Sequence, residues 1–217
     1  MTNKQGIIFD MDGTLLDSMH VWINLADDML KKLGITPKEQ IYDIASVMSL
    51  KEAAEYFIDL YNIPKSVDEV LDMIHKHIED FYFNKVQTKE NAKEVLTYFS
   101  EKGVPMSVAT LTNKHYTVGA LKHCEIFDFF HPILTCGEIG HYKTEPNIFY
   151  ECAKIMKTEP ENTFVIEDSL YAIKTAKKYG FITVGIADKN AEKDREKIKK
   201  EADFFIENLT ELKDVIK

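Results

Sequence analysis

Three cysteines in 217 residues, none in a CxxC spacing, leave neither a disulfide framework nor a zinc site to organise this chain. Cys124, Cys136 and Cys152 are odd in number and widely separated, which fits a reducing, cytoplasmic setting. No apolar run approaches the length that crosses a bilayer, so no membrane partner is expected. The opening MTNKQGIIFD has only a four-residue apolar run and no cleavage-site pattern, unlike a signal peptide. Positive charge is in short supply as well. Lys and Arg number 27 against 36 Asp and Glu, and the net charge of -9 argues against a nucleic-acid surface. A phosphorylated substrate remains compatible with that balance where the site itself is locally positive. Internal repeats and low-complexity segments are absent too.

What is present is a hydrophobic period that changes along the chain. Residues 5–9 read as a short buried strand, and residues 18–83 read as helix. Trp22, Leu25, Ala26, Met29, Leu30 and Leu33 recur at helical spacing, and Gly34 closes that helix. Thr36-Pro37-Lys38-Glu39 and Ser66-Val67-Asp68-Glu69 have the form of capping boxes. From Ala92 onward, helix and strand signals alternate, with strands at residues 105–109, 133–136, 163–166 and 182–187. These strands are apolar without alternation, as in a parallel sheet covered on both faces. The expected fold is therefore α/β, a doubly wound parallel sheet with an inserted all-helical region. The expected division is a core of residues 1–15 and 85–217 and a helical cap of residues 16–84. The charge-rich stretch 191–200 reads as a solvated helix or loop.

In open parallel sheets ligands gather beyond the carboxyl ends of the strands. The first strand ends in Asp10 and Asp12, within IIFDMDGTLLDS. The second ends in Thr110-Leu111-Thr112-Asn113, and another ends in Glu167-Asp168-Ser169. Lys143 lies just ahead of a helix, in YKTEP. Like charges at Asp10 and Asp12 repel unless a cation sits between them. Carboxylates, hydroxyls and an ammonium at one edge suit phosphoryl transfer. The phosphate charge must be neutralised before an anionic nucleophile approaches, and magnesium held by carboxylates does this. A carboxylate can attack phosphorus, and a second one at i+2 can move the leaving-group proton. Taken singly, each element has a plainer reading: a solvated lysine at Lys143, helix caps at Thr110 or Asn113, a first-turn acid at Glu167 and Asp168. A calcium loop counted from Asp10 would need Gly and Glu where Leu15 and Val21 stand, and is excluded. The joint occurrence at successive strand ends favours catalysis.

With those residues in place, the sequence resembles the haloacid dehalogenase-like superfamily over nearly its whole length. DMDGTLLDS matches the first family motif, VATLTN the second, YKTEPNIF resembles the third, and TFVIEDSLYAIKTAKKYG the fourth. The helical insertion resembles the cap of the subgroup that contains β-phosphoglucomutase and many small-molecule phosphatases. The resemblance implies Asp10 as nucleophile, Asp12 as acid and base, and Thr110 with Lys143 as phosphoryl-binding groups. Thr112 and Asn113 join them on the substrate side. Mg2+ would be held by Asp10, the backbone carbonyl of Asp12, Asp168 and Glu167, the last directly or through water. Ser18, Ser49 and Lys51 are the candidate substrate residues of the cap region, and residues 15–18 and 85–91 its candidate hinges. Thr144 stands where the family has a proline.

Dehalogenation is not expected, because the family's dehalogenases lack an aspartate at the position of Asp12. The mutase carries a phosphate-binding arginine just after a Ser in its first cap loop. Here Ser49 is followed by Leu50-Lys51, and residues 16–84 contain no arginine. The reading is a magnesium-dependent phosphatase of a small phosphorylated metabolite, acting through an aspartyl-phosphate. A β-phosphoglucomutase-like phosphomutase is the alternative. A phosphorylated signalling module of receiver type would lack both the DxDGT pair and the helical insertion. A monomer is expected, with a dimer as the alternative.

Overall fold

In the computed structural model, which describes residues 4–37, 44–45 and 48–217, the apolar run of the first motif forms β1 (Gly6–Phe9), buried along its whole length. β1 pairs in parallel with β2 (Met106–Thr110) on one side and β4 (Thr163–Glu167) on the other. β3 (Ile133–Thr135), β5 (Ile182–Ile186) and β6 (Phe204–Ile206) complete a six-stranded sheet in the order β3-β2-β1-β4-β5-β6. All pairings are parallel. This is the doubly wound order, and its direction reverses between β1 and β4. Strand β6 was not anticipated from the sequence. The stretch read as a solvated helix or loop contains a short helix, residues Arg195–Glu201.

The chain divides into two compact units, Met1–Ser18 with Val86–Lys217 and Met19–Lys85. In the first, the helices that follow the strands cover the sheet. Asn147–Met156 turns Ile148, Phe149, Cys152 and Met156 into a core shared with Ile8, Val165 and Phe181. Gly185 in β5 shows how tightly the other helices pack. A Cβ there would run into Ile198 Cγ2, so a side chain has no room unless its neighbour moves.

The second unit is helical: α1 (Met19–Lys32), α2 (Leu50–Tyr61) and α3 (Val67–Asn84). Leu30, Ala53, Phe57 and Ile63 form its core. The capping box at Ser66 and Glu69 opens α3, which runs to Asn84. Two of the four residues of the box expected at 36–39, residues 38 and 39, lie outside the described residues. Trp22 Nε1 donates to the Tyr82 hydroxyl at 2.9 Å, a packing role within this unit.

The two stretches that lead out of and back into the sheet unit pair with each other. Asp17 N–H donates to Gln87 O at 3.0 Å, and Lys89 N–H donates to Leu15 O at 2.8 Å. Leu16 and Thr88 form an antiparallel bridge between them. Among the described residues no helix is long and apolar enough to cross a membrane.

Candidate active site

The reversal point of the sheet sets the site. Phe9 and Ile166 are register partners, so Asp10 and Glu167 follow at the same level on adjacent strands. Asp10 N–H is held by Ile166 O at 3.0 Å. The chain then turns back on itself. Leu15 and Leu16 N–H both bond to Met11 O at 2.9 Å, with Gly13 at φ 84° supplying the left-handed conformation this turn requires.

Lys143 is 1% exposed, which a lysine tolerates only when paired. Its ammonium donates to Asp10 Oδ1 and, at 2.6 Å, to Glu167 Oε1. Burial opposes the charge, but Asp10 and Glu167 outweigh it and hold the Lys143 pKa above the ordinary lysine value. Burial pushes Glu167 up to about 7 despite its bond to Lys143. Asp168 is raised well above the carboxylate range, first by burial and then by Asp10, Glu167 and Asp188.

One carboxylate oxygen from each of Asp10, Glu167 and Asp168 lies within 4.8 Å of the others, and all three residues are buried. Ionising all three carboxylates against one ammonium would leave buried negative charge uncompensated, and the raised Glu167 and Asp168 reflect this. An all-oxygen donor set of that sign fits a hard divalent cation such as Mg2+.

The carboxylate of Asp12 is held apart from this group. Ser18 Oγ donates to its Oδ1 and Thr112 Oγ1 to its Oδ2, each at 2.6 Å. Thr112 and Ser18, expected on the substrate side, thus grip Asp12. Thr110 is buried at the end of β2, where its Oγ1 accepts from Thr112 N–H at 3.1 Å. Asn113 is exposed and caps the next helix through Oδ1, which accepts from His115 N–H at 2.9 Å. Asp10, Asp12, Thr110, Thr112, Ser18, Lys143, Glu167 and Asp168 therefore all belong to the sheet unit. Ser49 and Lys51 belong to the helical unit. Ser49 is the N-cap of α2, where its hydroxyl accepts from Glu52 N–H at 3.2 Å. Lys51 is exposed and lies 3.9 Å from Glu55 Oε1.

Two further residues join the electrostatics of the site. Asp188 is buried just past β5. The rule that located the other acids, a polar residue one or two places beyond a strand, would have found it. Tyr171 lies in the first turn of the helix after β4, and its hydroxyl pKa is raised by burial and then by Glu167. No sequence signal marks it.

Buried acids, hydroxyls and an ammonium thus gather at the reversal point of a doubly wound α/β sheet, where such folds bind ligands. The chain belongs to the haloacid dehalogenase-like hydrolases, whose family model matches residues 7–186. Over 99% of its length it is 25% identical to pyrophosphatase PpaX of Anoxybacillus flavithermus, covering 97% of that protein. It is 24% identical to validoxylamine A 7'-phosphate phosphatase of Streptomyces hygroscopicus, covering 95% of this chain and 94% of the relative. A solved structure from Thermotoga maritima, provisionally named a β-phosphoglucomutase, superposes with a TM-score of 0.83 at 18% identity over 97% of each chain. The chain is a hydrolase of the family's phosphatase type.

Proposed function

We propose that the protein is a magnesium-dependent phosphatase of a small phosphorylated metabolite, working through an aspartyl-phosphate on Asp10. The observation that carries this reading is the Lys143 ammonium lodged between Asp10 and Glu167 inside a buried acid trio. Phosphatase names among the relatives support it.

Asp10, Glu167, Asp168 and the Asp12 backbone carbonyl are the ligands proposed for Mg2+, which when bound neutralises phosphate charge and aligns the ester. Lys143 and Thr110 bind phosphoryl oxygens. Lys143 also fixes Asp10 and adds positive charge where negative charge grows. Asp10 attacks phosphorus as the bond to the leaving oxygen breaks, and Asp12 delivers a proton to that oxygen. Asp12, now ionised, takes a proton from water. The water attacks phosphorus, the acyl-phosphate bond breaks, and Asp10 is released. Ser18 and Thr112 hold Asp12 in one orientation through both steps.

The absence of arginine from residues 16–84 favours hydrolysis over phosphate transfer within a sugar bisphosphate, which needs a second phosphate clamp. Ser49 and Lys51 remain the proposed substrate-side residues of the helical unit. The protein is read as a cytoplasmic monomer, and its three free cysteines support the compartment. The test is hydrolysis of para-nitrophenyl phosphate with magnesium and with chelator. Turnover that survives complete metal removal contradicts the reading.

A further inference from the structure

One partly buried ion pair in the sheet unit has no step assigned to it above, although its acid, Asp188, adds negative charge near Asp168. Lys89 Nζ lies 2.7 Å from Asp188 Oδ2 and donates to Ala187 O at 3.0 Å. The Asp188 side chain is 2% exposed and that of Lys89 16%. The other oxygen of Asp188 accepts from Asn190 N–H at 2.7 Å, so the carboxylate is fixed at both ends. Removing two charges from water costs much of what their attraction returns, and the durable product of such a pair is a defined geometry.

The geometry defined here is that of residues 87–89. Lys89 is the residue whose N–H donates to Leu15 O, and Gln87 O receives Asp17 N–H. The next residue of the β5 exit, Lys189, makes a 3.0 Å pair with Asp17, but at an exposed position where it contributes little. Immediately after Asp17 comes Ser18, whose hydroxyl holds Asp12 Oδ1. An unbroken run of contacts therefore leads from Asp188 through Lys89 and the paired stretches 15–17 and 87–89 to Ser18 and Asp12.

We propose that the Lys89–Asp188 ion pair is a positioning device for Asp12, fixing through the paired stretches the place from which Ser18 orients the acid. The proposal rests on the phosphatase reading, which assigns Asp12 the proton for the leaving oxygen. Its consequence is selective. Loss of the pair weakens proton delivery and spares the attack by Asp10, so substrates with basic leaving groups suffer most.

The test compares kcat/KM for phenyl phosphate, whose leaving oxygen needs a proton, with that for para-nitrophenyl phosphate, whose leaving oxygen does not. Asp188→Asn keeps the shape and removes the charge, Lys89→Met removes the partner, and Lys89→Arg is the conservative control. The phenyl to para-nitrophenyl ratio should fall about tenfold in the first two variants, a fraction of what general acid catalysis supplies. It should stay at the wild-type value in Lys89→Arg, with the magnesium requirement unchanged in both Lys89 variants; Asp188→Asn, which also removes a negative charge near Asp168, is judged by the ratio alone. Equal loss on both substrates in folded variants, or failure of both Asp188→Asn and Lys89→Met to fold, makes the pair structural and overturns the proposal. A wild-type protein inactive on both esters instead overturns the phosphatase reading, and the proposal with it.

Discussion

Thr112 Oγ1 donates a 2.6 Å hydrogen bond to Asp12 Oδ2 across 100 residues of sequence. With Ser18 on the other oxygen, the Asp12 carboxylate is fixed while the neighbouring Asp10 carboxylate faces Lys143. Two aspartates with one residue between them thus have different surroundings, as a nucleophile and a proton carrier require.

Asp12→Asn leaves an amide that cannot activate water. With para-nitrophenyl phosphate the first step needs no proton, so stopped-flow traces should show a burst of nitrophenol. A steady state slower by about 10²–10⁴-fold should follow. Equal loss of burst and steady state would make Asp12 a structural residue.

Asp10→Asn should abolish turnover, because an amide cannot form the acyl phosphate. Its folding stability should hold or rise, since one of three crowded carboxylates is gone while Glu167 still faces Lys143. Steady-state assay with thermal melting checks both halves. Turnover near the wild-type level removes Asp10 as nucleophile.

Lys143→Met should be the costliest of these changes for the fold. It leaves Asp10 and Glu167 buried without their cation, a loss of about 3–5 kcal/mol. Magnesium should restore part of it, because the ion neutralises the same oxygens. Melting in chelator and in magnesium measures the difference, and equal destabilisation in both would place the ion elsewhere.

For the wild type, magnesium at a hundredfold excess over Kd should stabilise the fold by about 2.7 kcal/mol, and Asp168→Ala should remove most of that gain. The gain should grow with pH. Glu167 titrates at about 7 when folded, against an ordinary 4.5, so without metal the folded state holds the extra proton between those values. Stability from this group then falls as pH rises across that window. Bound magnesium keeps the carboxylate ionised in the folded state and cancels the fall. A magnesium-induced shift that shrinks from pH 4.5 to 7 contradicts the assignment.

The strand ends were legible because their physics is local. A short apolar run such as GIIF or TFVIE has one use in a covered parallel sheet, and the polar residue after it must reach the carboxyl edge. Asp10, Thr110, Glu167 and Asp168 were readable on that ground. β6 was not, because FFI is three residues long and follows a charged stretch. Thr112 and Ser18 were noticed as polar groups, but their grip on Asp12 depends on how distant turns fold back. Asp188 lay within reach of the same strand-end rule, but its pairing with Lys89, 99 residues away, is set by three-dimensional proximity alone.

β1 is made before either of its sheet neighbours, yet it is an interior strand of the finished sheet. The neighbours of β1 are residues 106–110 and 163–167, so one of its edges stays open until residues 163–167 have left the ribosome. An apolar strand with an open edge is a template for aggregation. The segment that closes it, Thr163–Glu167, also brings Glu167 to Lys143 and sets Asp168 beside Asp10. Protection of the nascent chain and completion of the acid trio therefore arrive together. A fragment that ends before residue 163 has neither, and chaperone dependence during synthesis should be greatest just before that point.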